Sequence, residues 1–316
     1  NHHIFKELQY LSNIDYKPIR YISFAHDEET YKTLEASKAW SKAEMIAPKQ
    51  FREEISPYFN ANPKKYISAL VSEDCWQATP GKVVDLVRNL GIAAGGTVME
   101  DCRVLEACRE GKYTSVLVQT HDKKYVEYRT EHFVNALGSG AGKLCDSMGI
   151  DAGLYPVRHQ AFITRRLPML GKHGTNLDML IDRQDYKGFS AVYGQQIAYT
   201  GQIIGCASPK LDAMRIDKNL KVNTKAFLEI VSEMFSEWIP DLAGVGIQAV
   251  WAGYYTEPRY IVDPELGLFV GMRGHGFMLS QYIARMYVDK LLGRPVPEYF
   301  EKLKLNGPGL SEKAFK

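Results

Sequence analysis

The sequence predicts a mixed α/β fold, in which helices and strands alternate at both ends of the chain around a central section richer in strands. Apolar residues recur at helical spacing in several segments, most clearly from 224 to 238 and from 277 to 292. Between such segments lie short runs rich in Val, Ile and aromatic residues, bounded by Gly and Pro, and these are typical of strands.

The composition is that of an ordinary folded protein and excludes several function classes. Of 316 residues, 45% are hydrophobic and 24% charged, and the net charge of +2 gives no electrostatic reason to expect nucleic acid as a partner. No apolar run is long enough to span a bilayer. The five cysteines form no CxxC pair and no metal-ligand spacing, so we expect no metal site and interpret them as reduced thiols in a cytoplasmic protein. The first residues show neither a signal-peptide pattern nor an initiator Met, so we expect the true N-terminus to lie elsewhere.

The N-terminal elements are predicted by periodicity and capping signals. Residues 4–11 predict a helix that buries Ile4, Phe5, Leu8 and Leu11. Residues 19–25 predict a strand, and Asp27 is a suitable N-cap for a polar helix that ends near Trp40. Thr79 and Pro80 predict the start of another helix. The expected buried residues of that helix are Val83, Val84, Leu86, Val87 and Leu90.

The middle and the end of the chain predict more strands and two long helices. Strands are expected at 97–105, 115–119, 131–137, 157–164, 189–193, 197–205, 247–254 and 267–271. The clearest amphipathic helix ends near Trp238. Its expected buried face consists of Phe227, Ile230, Val231, Met234, Phe235 and Trp238. The last helix follows Gly274-His-Gly276 and ends at Gly293.

Two strand–glycine–helix junctions are candidate anion sites, because a helix N-terminus offers unpaired N–H groups and partial positive charge. The first, Gly138-Ser-Gly-Ala-Gly142, matches neither the dinucleotide fingerprint nor the P-loop spacing. One interpretation is a tight turn between a strand and a helix, and the other is a close backbone approach of a cofactor at Gly138.

The second junction, Gly271-Met-Arg-Gly-His-Gly-Phe277, places a histidine between two glycines at a helix start. Bare backbone N–H groups beside an imidazole suit a planar ring whose carbonyl gains negative charge on reduction, as a flavin does at its pyrimidine end. A helix start with a structural histidine is the alternative interpretation.

The order of these segments resembles that of the FAD-dependent oxidoreductases of the D-amino-acid oxidase, sarcosine oxidase and glycine oxidase family. Val134-Asn-Ala-Leu-Gly138, a helix and then Tyr155-Pro-Val-Arg-His-Gln160 resemble the family's Ala-x-Gly strand end and the strand that opens its substrate domain. Trp251-Ala-Gly-Tyr-Tyr255 followed by Gly-His-Gly-Phe277 resembles its C-terminal flavin-facing signature. The resemblance covers residues 4 to 293, and only the C-terminal signature is specific.

The resemblance implies roles for individual residues. It places Val104 beside the adenine, and Ala136, Leu137 and Gly138 near the ADP ribose. The residues expected to line a non-covalently bound flavin are Gly253, Gly274, His275, Gly276, Phe277 and Met278. Tyr255 and Tyr193 are expected to face the substrate, with Arg273 as a candidate cation for it and His275 beside the flavin.

Three departures from the family pattern affect these roles. Gly253 stands where sarcosine oxidases carry the cysteine that tethers the flavin, which implies non-covalent FAD. Met278 stands where they carry a lysine, so the substrate carboxylate would lack that cation. The family's opening strand, its G-x-G-x-x-G turn and its helix do not occur before residue 4. We therefore expect an N-terminal segment or a second subunit to complete the FAD domain.

The implied architecture is an incomplete Rossmann-type FAD domain interleaved with a substrate domain that is built on a mostly antiparallel sheet. We assign 1–16, 76–150 and 251–296 to the remainder of the FAD-binding domain, 17–75 and 151–250 to the substrate domain, and 297–316 to a C-terminal tail. The implied activity is oxidation of the C–N bond of an amine or amino acid by hydride transfer to flavin. A non-catalytic subunit of a complex and a 2-hydroxy-acid or polyol dehydrogenase remain alternatives.

Overall fold

The computed structural model describes residues 1–60, 64–167, 177–184, 188–197, 200–209 and 224–309. The chain divides into two compact units. The first unit comprises Asn1–Tyr16, Ala78–Pro156 and Tyr254–Lys316, and the second comprises Lys17–Gln77 and Val157–Gly253. The fold class is mixed α/β, as the sequence predicts.

The helices and strands are numbered in chain order. The helices are α1 (His2–Leu11), α2 (Glu28–Ser37), α3 (Phe51–Glu54), α4 (Pro80–Ala93), α5 (Ala141–Ser147), α6 (Thr224–Trp238) and α7 (Gly276–Leu291). The strands are β1 (Lys17–Ala25), β2 (Ala43–Ile46), β3 (Ser68–Gln77), β4 (Arg103–Glu110), β5 (Tyr113–Gln119), β6 (Tyr125–Thr130), β7 (Tyr155–Thr164), β8 (Met179–Asp182), β9 (Phe189–Ile197), β10 (Gln202–Pro209), β11 (Ile247–Glu257), β12 (Ile261–Asp263) and β13 (Leu268–Val270).

An eight-stranded sheet with the order β11-β7-β10-β9-β8-β1-β3-β2 forms the centre of the second unit. β1 and β8 pair in parallel, whereas β3 pairs antiparallel with β1 and β2, and β9 and β10 pair antiparallel with their neighbours. This confirms the mostly antiparallel sheet that the family resemblance implies. At the start of α2, Asp27 accepts a hydrogen bond from the backbone N of Thr30 at 2.7 Å, which is the predicted N-cap.

α6 supplies the largest part of the core of the second unit. All six residues of its predicted face are buried, with exposed fractions between 0% and 5%. A Cβ atom at Gly194 of β9 would lie 2.5 Å from Cζ of Phe235, so glycine allows the helix to pack closely on the sheet. The prediction succeeds here because a long period-3.6 pattern has only one face to bury.

The first unit contains an antiparallel sheet of β4, β5 and β6, a β12–β13 pair and the helices α1, α4, α5 and α7. Ile4, Phe5 and Leu8 of α1 are buried against Val83 of α4, but Leu11, which was expected on the same face, is 58% exposed. Leu11 is the last residue of α1, and no further turn of the helix lies beside it.

The region 297–316, predicted as a tail, begins with residues that pack into the first unit. Glu298–Leu303 form a 3-10 helix, and Phe300 and Leu303 are buried in a core with Tyr260 and Ile283. An aromatic and an aliphatic residue three positions apart were the only signal for this contact in the sequence.

Two strand predictions in the first unit are wrong in their limits. The segment 97–105 becomes a strand only from Arg103, because Asp101 has a φ of 55° and this left-handed residue interrupts an extended chain. The segment 131–137 forms no strand beyond an isolated parallel bridge between Asn135 and Leu268. β2, β3, β6, β8 and β12 were not predicted. In β3, Glu73, Asp74 and their neighbours hide the strand pattern.

The predicted buried face of α4 is also partly wrong. Val83 is buried, but Val84 is 60% and Leu90 is 39% exposed. Thr79 makes no capping hydrogen bond to the helix, and its hydroxyl donates instead to Oδ2 of Asp15 at 3.3 Å. The spacing of apolar residues in α4 therefore predicts a wider buried face than the helix has in the described part of the chain.

Candidate active site at the start of α7

A sharp turn after β13 sets the backbone direction of the candidate site. Gly271 has a φ of 70°, and a Cβ at this position would lie 1.9 Å from the carbonyl oxygen of Arg259. Only glycine fits this close approach, because every other residue would place an atom inside that carbonyl. The chain then forms a 3-10 turn, Arg273–His275, which leads directly into α7 at Gly276.

Tyr255 packs against the backbone of this turn. A Cβ at Gly274 would lie 2.7 Å from Cε2 of Tyr255, so the aromatic ring lies directly on the glycine. The rest of the surface of Gly274 is exposed to solvent. The turn therefore has one side covered by an aromatic ring of β11 and another side that is open.

His275 is held by a buried tyrosine. Nδ1 of His275 lies 2.6 Å from the hydroxyl oxygen of Tyr260, which belongs to the core formed with α7. Burial raises the pKa of Tyr260, the Arg273 charge lowers it and the Glu257 charge raises it, with a net increase. The hydroxyl consequently keeps its proton at neutral pH.

Arg273 forms an ion pair with Glu257 through its Nε. The two side chains are 18% and 12% exposed, so solvent screens this pair less than an ion pair on the surface. Arg273 also has a φ of 50°, in the left-handed region that non-glycine residues seldom adopt. Its expected role as a cation for the substrate stays a prediction, and its charge is already paired within the first unit.

The first residues of α7 present apolar surface next to the open glycine backbone. Phe277 and Met278 are 39% and 43% exposed, and the Phe277 ring lies 5.6 Å from that of Phe5 in a T-shaped contact. Residues 274–278 are thus not enclosed in a core. This arrangement fits an isoalloxazine ring. The exposed backbone at the helix start and the histidine suit its pyrimidine edge, and the two apolar side chains suit its face.

The predicted ribose and adenine residues also belong to the first unit. Ala136, Leu137 and Gly138 are exposed, and Gly138 has a φ of 55°. Val104 is half-buried beside the core that β4 and β5 form with α5. No described contact joins these residues to the turn at 273–275, so their roles stay predictions.

The glycines of 138–142 also serve the local fold. A Cβ at Gly142 would lie 3.1 Å from the carbonyl oxygen of Leu154, so this glycine lets α5 approach the following loop. Buried Asn135 donates to the carbonyl oxygen of Ala141 at 3.0 Å and fixes the start of α5. These contacts support the interpretation of a tight turn that leads into a helix, although the residues before it form only the isolated bridge at Asn135.

Tyr193 and Gly253 belong to the second unit. Tyr193 of β9 pairs with Cys206 of β10, and the two side chains therefore lie on the same face of the sheet. Burial raises the pKa of the Cys206 thiol to about 11, so it is unreactive at neutral pH. Gly253 is exposed, and no atom lies within 4 Å of the position a Cβ would take.

Sequence reasoning missed Tyr260 and Glu257, which hold the two polar side chains of the turn. Glu257 is the last residue of β11 and Tyr260 precedes β12, in a segment where the sequence shows only Glu-Pro-Arg-Tyr. Their roles depend on the turn at Gly271, because this turn brings Arg273 and His275 next to residues about 15 positions earlier in the chain. The local sequence carried no signal for either role.

Residues 1–290 match the family described as FAD dependent oxidoreductase. L-proline dehydrogenase from P. horikoshii has 22% identity and a TM-score of 0.76, with 96% of this chain and 80% of that chain covered. Glycine oxidase from Geobacillus kaustophilus has 16% identity and a TM-score of 0.77, with the same coverage. L-amino acid deaminase from Proteus vulgaris has 14% identity and a TM-score of 0.72, with 96% and 82% covered.

No curated protein gives a significant match to this sequence. Among the described residues, no helix has the length and apolar character needed to cross a membrane. The structural neighbours share less than 25% of their residues with this chain and establish its fold. The family match covers 290 of the 316 residues and includes the turn at 273–275. The chain therefore belongs to the family of FAD-dependent oxidoreductases.

Proposed function

We propose that this protein oxidises the C–N bond of an amine or amino acid, with FAD bound so that the pyrimidine edge of its flavin faces Gly274–Met278. The observation that carries this proposal is the open turn at the start of α7. It combines exposed glycine backbone, His275 and uncovered apolar side chains within five residues.

Bound FAD would accept a hydride from the substrate carbon next to the nitrogen. The chain's own contribution is orientation and charge stabilisation. Backbone N–H groups and partial positive charge at the start of α7 stabilise negative charge on the nearby ring. Tyr255 lies against the same turn and would orient a substrate above it, whereas the expected contact of Tyr193 with the substrate stays a prediction.

The cofactor is held without a covalent bond in this proposal. Gly253 offers no side chain that could attach to the flavin, and Met278 adds no charge beside it. Binding then depends on backbone contacts and apolar cover at 274–278, together with contacts to the rest of the dinucleotide.

The pyrophosphate of FAD needs a binding site, which in Rossmann-type domains is formed by a strand, a glycine turn and a helix. The described residues do not contain this arrangement. Asn135 donates to Gly267 O at 2.8 Å and accepts from Phe269 N at 3.0 Å, so its backbone faces β13. In a parallel ladder the backbone groups of Val134 and Ala136 then face the opposite side. No strand in the described part of the chain pairs with them there.

We assign this edge to a further segment, in the same polypeptide or in a second subunit, that completes the FAD domain. Val134 and Leu137 are 42% and 43% exposed along it. A cavity of about 370 Å³ adjoins its start and is lined by Phe133, Gly267 and Tyr287 among other residues. The Tyr287 hydroxyl is buried there and has no hydrogen-bond partner among the described residues. A backbone carbonyl of the further segment could accept its hydrogen bond.

The activity is tested with the protein as purified from cells, by reduction of an artificial electron acceptor with a panel of amines, amino acids and 2-hydroxy acids. We expect turnover with an amine or amino acid and the visible absorption of oxidised flavin. Turnover confined to 2-hydroxy acids would support the dehydrogenase alternative. A stable complex that contains no flavin would support a non-catalytic subunit.

His275→Ala tests the assigned site within the same assay. Loss of a polar group next to the ring should lower the rate of flavin reduction about 100- to 1000-fold, since single preorganised donors contribute on that order. His121→Ala is the matched control, because His121 is exposed in the loop between β5 and β6 of the same unit. Full turnover and an unchanged flavin spectrum in His275→Ala would contradict the assignment.

A further inference from the structure

The hydrogen bond between Tyr260 and His275 determines which nitrogen of the imidazole carries its proton. Tyr260 is 4% exposed and belongs to the core that α7 forms with β12. Its hydroxyl oxygen lies 2.6 Å from Nδ1, and the two ring planes are inclined by 53°. The short contact and the buried position give the phenol little freedom to turn away.

The direction of this hydrogen bond sets the tautomer of the imidazole. A neutral imidazole has one N–H donor and one acceptor nitrogen, whereas a phenol can donate or accept. The Tyr260 hydroxyl stays protonated and lies within hydrogen-bond distance of His275 Nδ1, so it can donate to this nitrogen or accept a hydrogen bond from it. If the hydroxyl donates to Nδ1, the imidazole proton is placed on Nε2.

We propose that Tyr260 is a positioning residue that holds His275 as the tautomer protonated at Nε2, so that the site presents an N–H donor beside the glycine backbone. The proposal rests on the flavin site assigned above, because its purpose is to stabilise negative charge at the pyrimidine edge. A donor at Nε2 adds to the backbone N–H groups of the helix start, whereas an acceptor there would oppose them.

The charged groups around Tyr260 balance each other. The nearby charges are Arg273 and Glu257, which pair with each other and carry no net charge as a pair. The turn is thus fixed at two points, with Arg273 held by Glu257 and His275 held by Tyr260. Such supporting contacts commonly set both the orientation and the tautomer of a functional histidine.

The test uses ¹⁵N-histidine labelling of the whole protein and NMR spectra of the imidazole nitrogens at neutral pH, without added flavin. The His275 signals are identified from their loss in His275→Gln. We expect one tautomer, with Nε2 protonated and Nδ1 shifted as a hydrogen-bond acceptor. A spectrum in which Nδ1 carries the proton would overturn the proposal.

Tyr260→Phe keeps the ring in the core and removes only the hydroxyl. We expect the Nδ1 signal to lose its hydrogen-bond shift and to average between tautomers. Tyr287→Phe is the matched control, because it removes another buried hydroxyl from the same core and should leave the His275 signals unchanged. An unchanged His275 spectrum in Tyr260→Phe would also overturn the proposal.

A second readout separates the proposal from the proposed function. In the flavin-loaded protein, Tyr260→Phe should slow flavin reduction about 3- to 10-fold with little change in KM, as expected for loss of one hydrogen bond that acts in the reaction. If the NMR result holds and the protein binds no flavin, the tautomer assignment stands and the proposed function fails. If flavin reduction proceeds at the full rate in Tyr260→Phe, the positioning role is rejected.

Discussion

At the scale of single residues, burial decides which side chains can change their charge. His159 of β7 is the clearest case in the second unit, because burial lowers its pKa from 6.5 to about 4. Its position between Arg158 and Gln160 in the sequence gives no indication of this, since the shift arises from the sheet around it. The imidazole is therefore neutral throughout the physiological range.

This shift predicts a pH dependence of stability. Between pH 6.5 and about pH 4 the unfolded chain binds a proton at His159 and the folded chain does not, so stability is lost as the pH falls through this range. The loss from this residue amounts to roughly 3 kcal/mol at the acid end. Urea unfolding at a series of pH values measures it, and His159→Gln should flatten the slope.

Exposed His121 provides the control for that measurement, because His121→Gln makes the same substitution at a histidine that is not buried. The difference between the slopes of the wild type and His159→Gln removes the contribution of the carboxylates, because these titrate in the same pH range in both proteins. Equal slopes for the wild type and His159→Gln would show that His159 takes up its proton in the folded state as readily as in the unfolded state.

At the scale of elements, the turn between β13 and α7 is the segment on which the candidate site depends. Gly271→Ala should lower the free energy of unfolding by more than about 2 kcal/mol, since alanine is strained at a φ of 70° and its Cβ meets the Arg259 carbonyl. Gly91→Ala in α4 is the control. No atom lies near its Cβ position, and alanine should be neutral or stabilising by up to about 1 kcal/mol there.

Equilibrium unfolding of the two variants measures this difference. Equal stability of Gly271→Ala and the wild type would mean that the close approach of Arg259 and Gly271 is not maintained in solution. The candidate site would then lose the constraint that directs its backbone.

The same elements show what sequence patterns can and cannot predict. α6 and its buried face follow from periodicity, because a long amphipathic helix has one solution for its apolar side. β3 was missed because Glu73 and Asp74 lie on its less buried half, where strand alternation is weak. The segment 131–137 has strand residues but pairs only through Asn135, and pairing is a property of neighbours that the local sequence does not contain.

The candidate site was predictable to a similar extent. The glycines and His275 form a local motif, and motifs of this kind are visible in a sequence. Tyr260 and Glu257 were missed because their contacts with the turn require the chain to reverse between β12 and β13. Supporting residues of a site are generally brought in by tertiary structure, and local patterns do not reveal them.

At the scale of the whole molecule, the fold and the family agree with the expectation from the sequence. Both the mostly antiparallel sheet and the FAD-dependent family were expected, and each was found. The first unit contains the turn at 273–275 and the open edge at Val134 and Ala136, the two features that the proposed cofactor requires. One feature would hold the flavin ring, and the other would take the segment that binds the pyrophosphate.

The crystal structure of the protein in complex with FAD, purified as it occurs in cells, tests the central claim most directly. We predict a flavin oxygen or nitrogen of the pyrimidine edge within about 3 Å of a backbone N in Gly274–Met278, with a further strand paired to the edge at Ala136. An isoalloxazine ring bound elsewhere, with the amides of Gly274–Met278 facing solvent, would contradict the account.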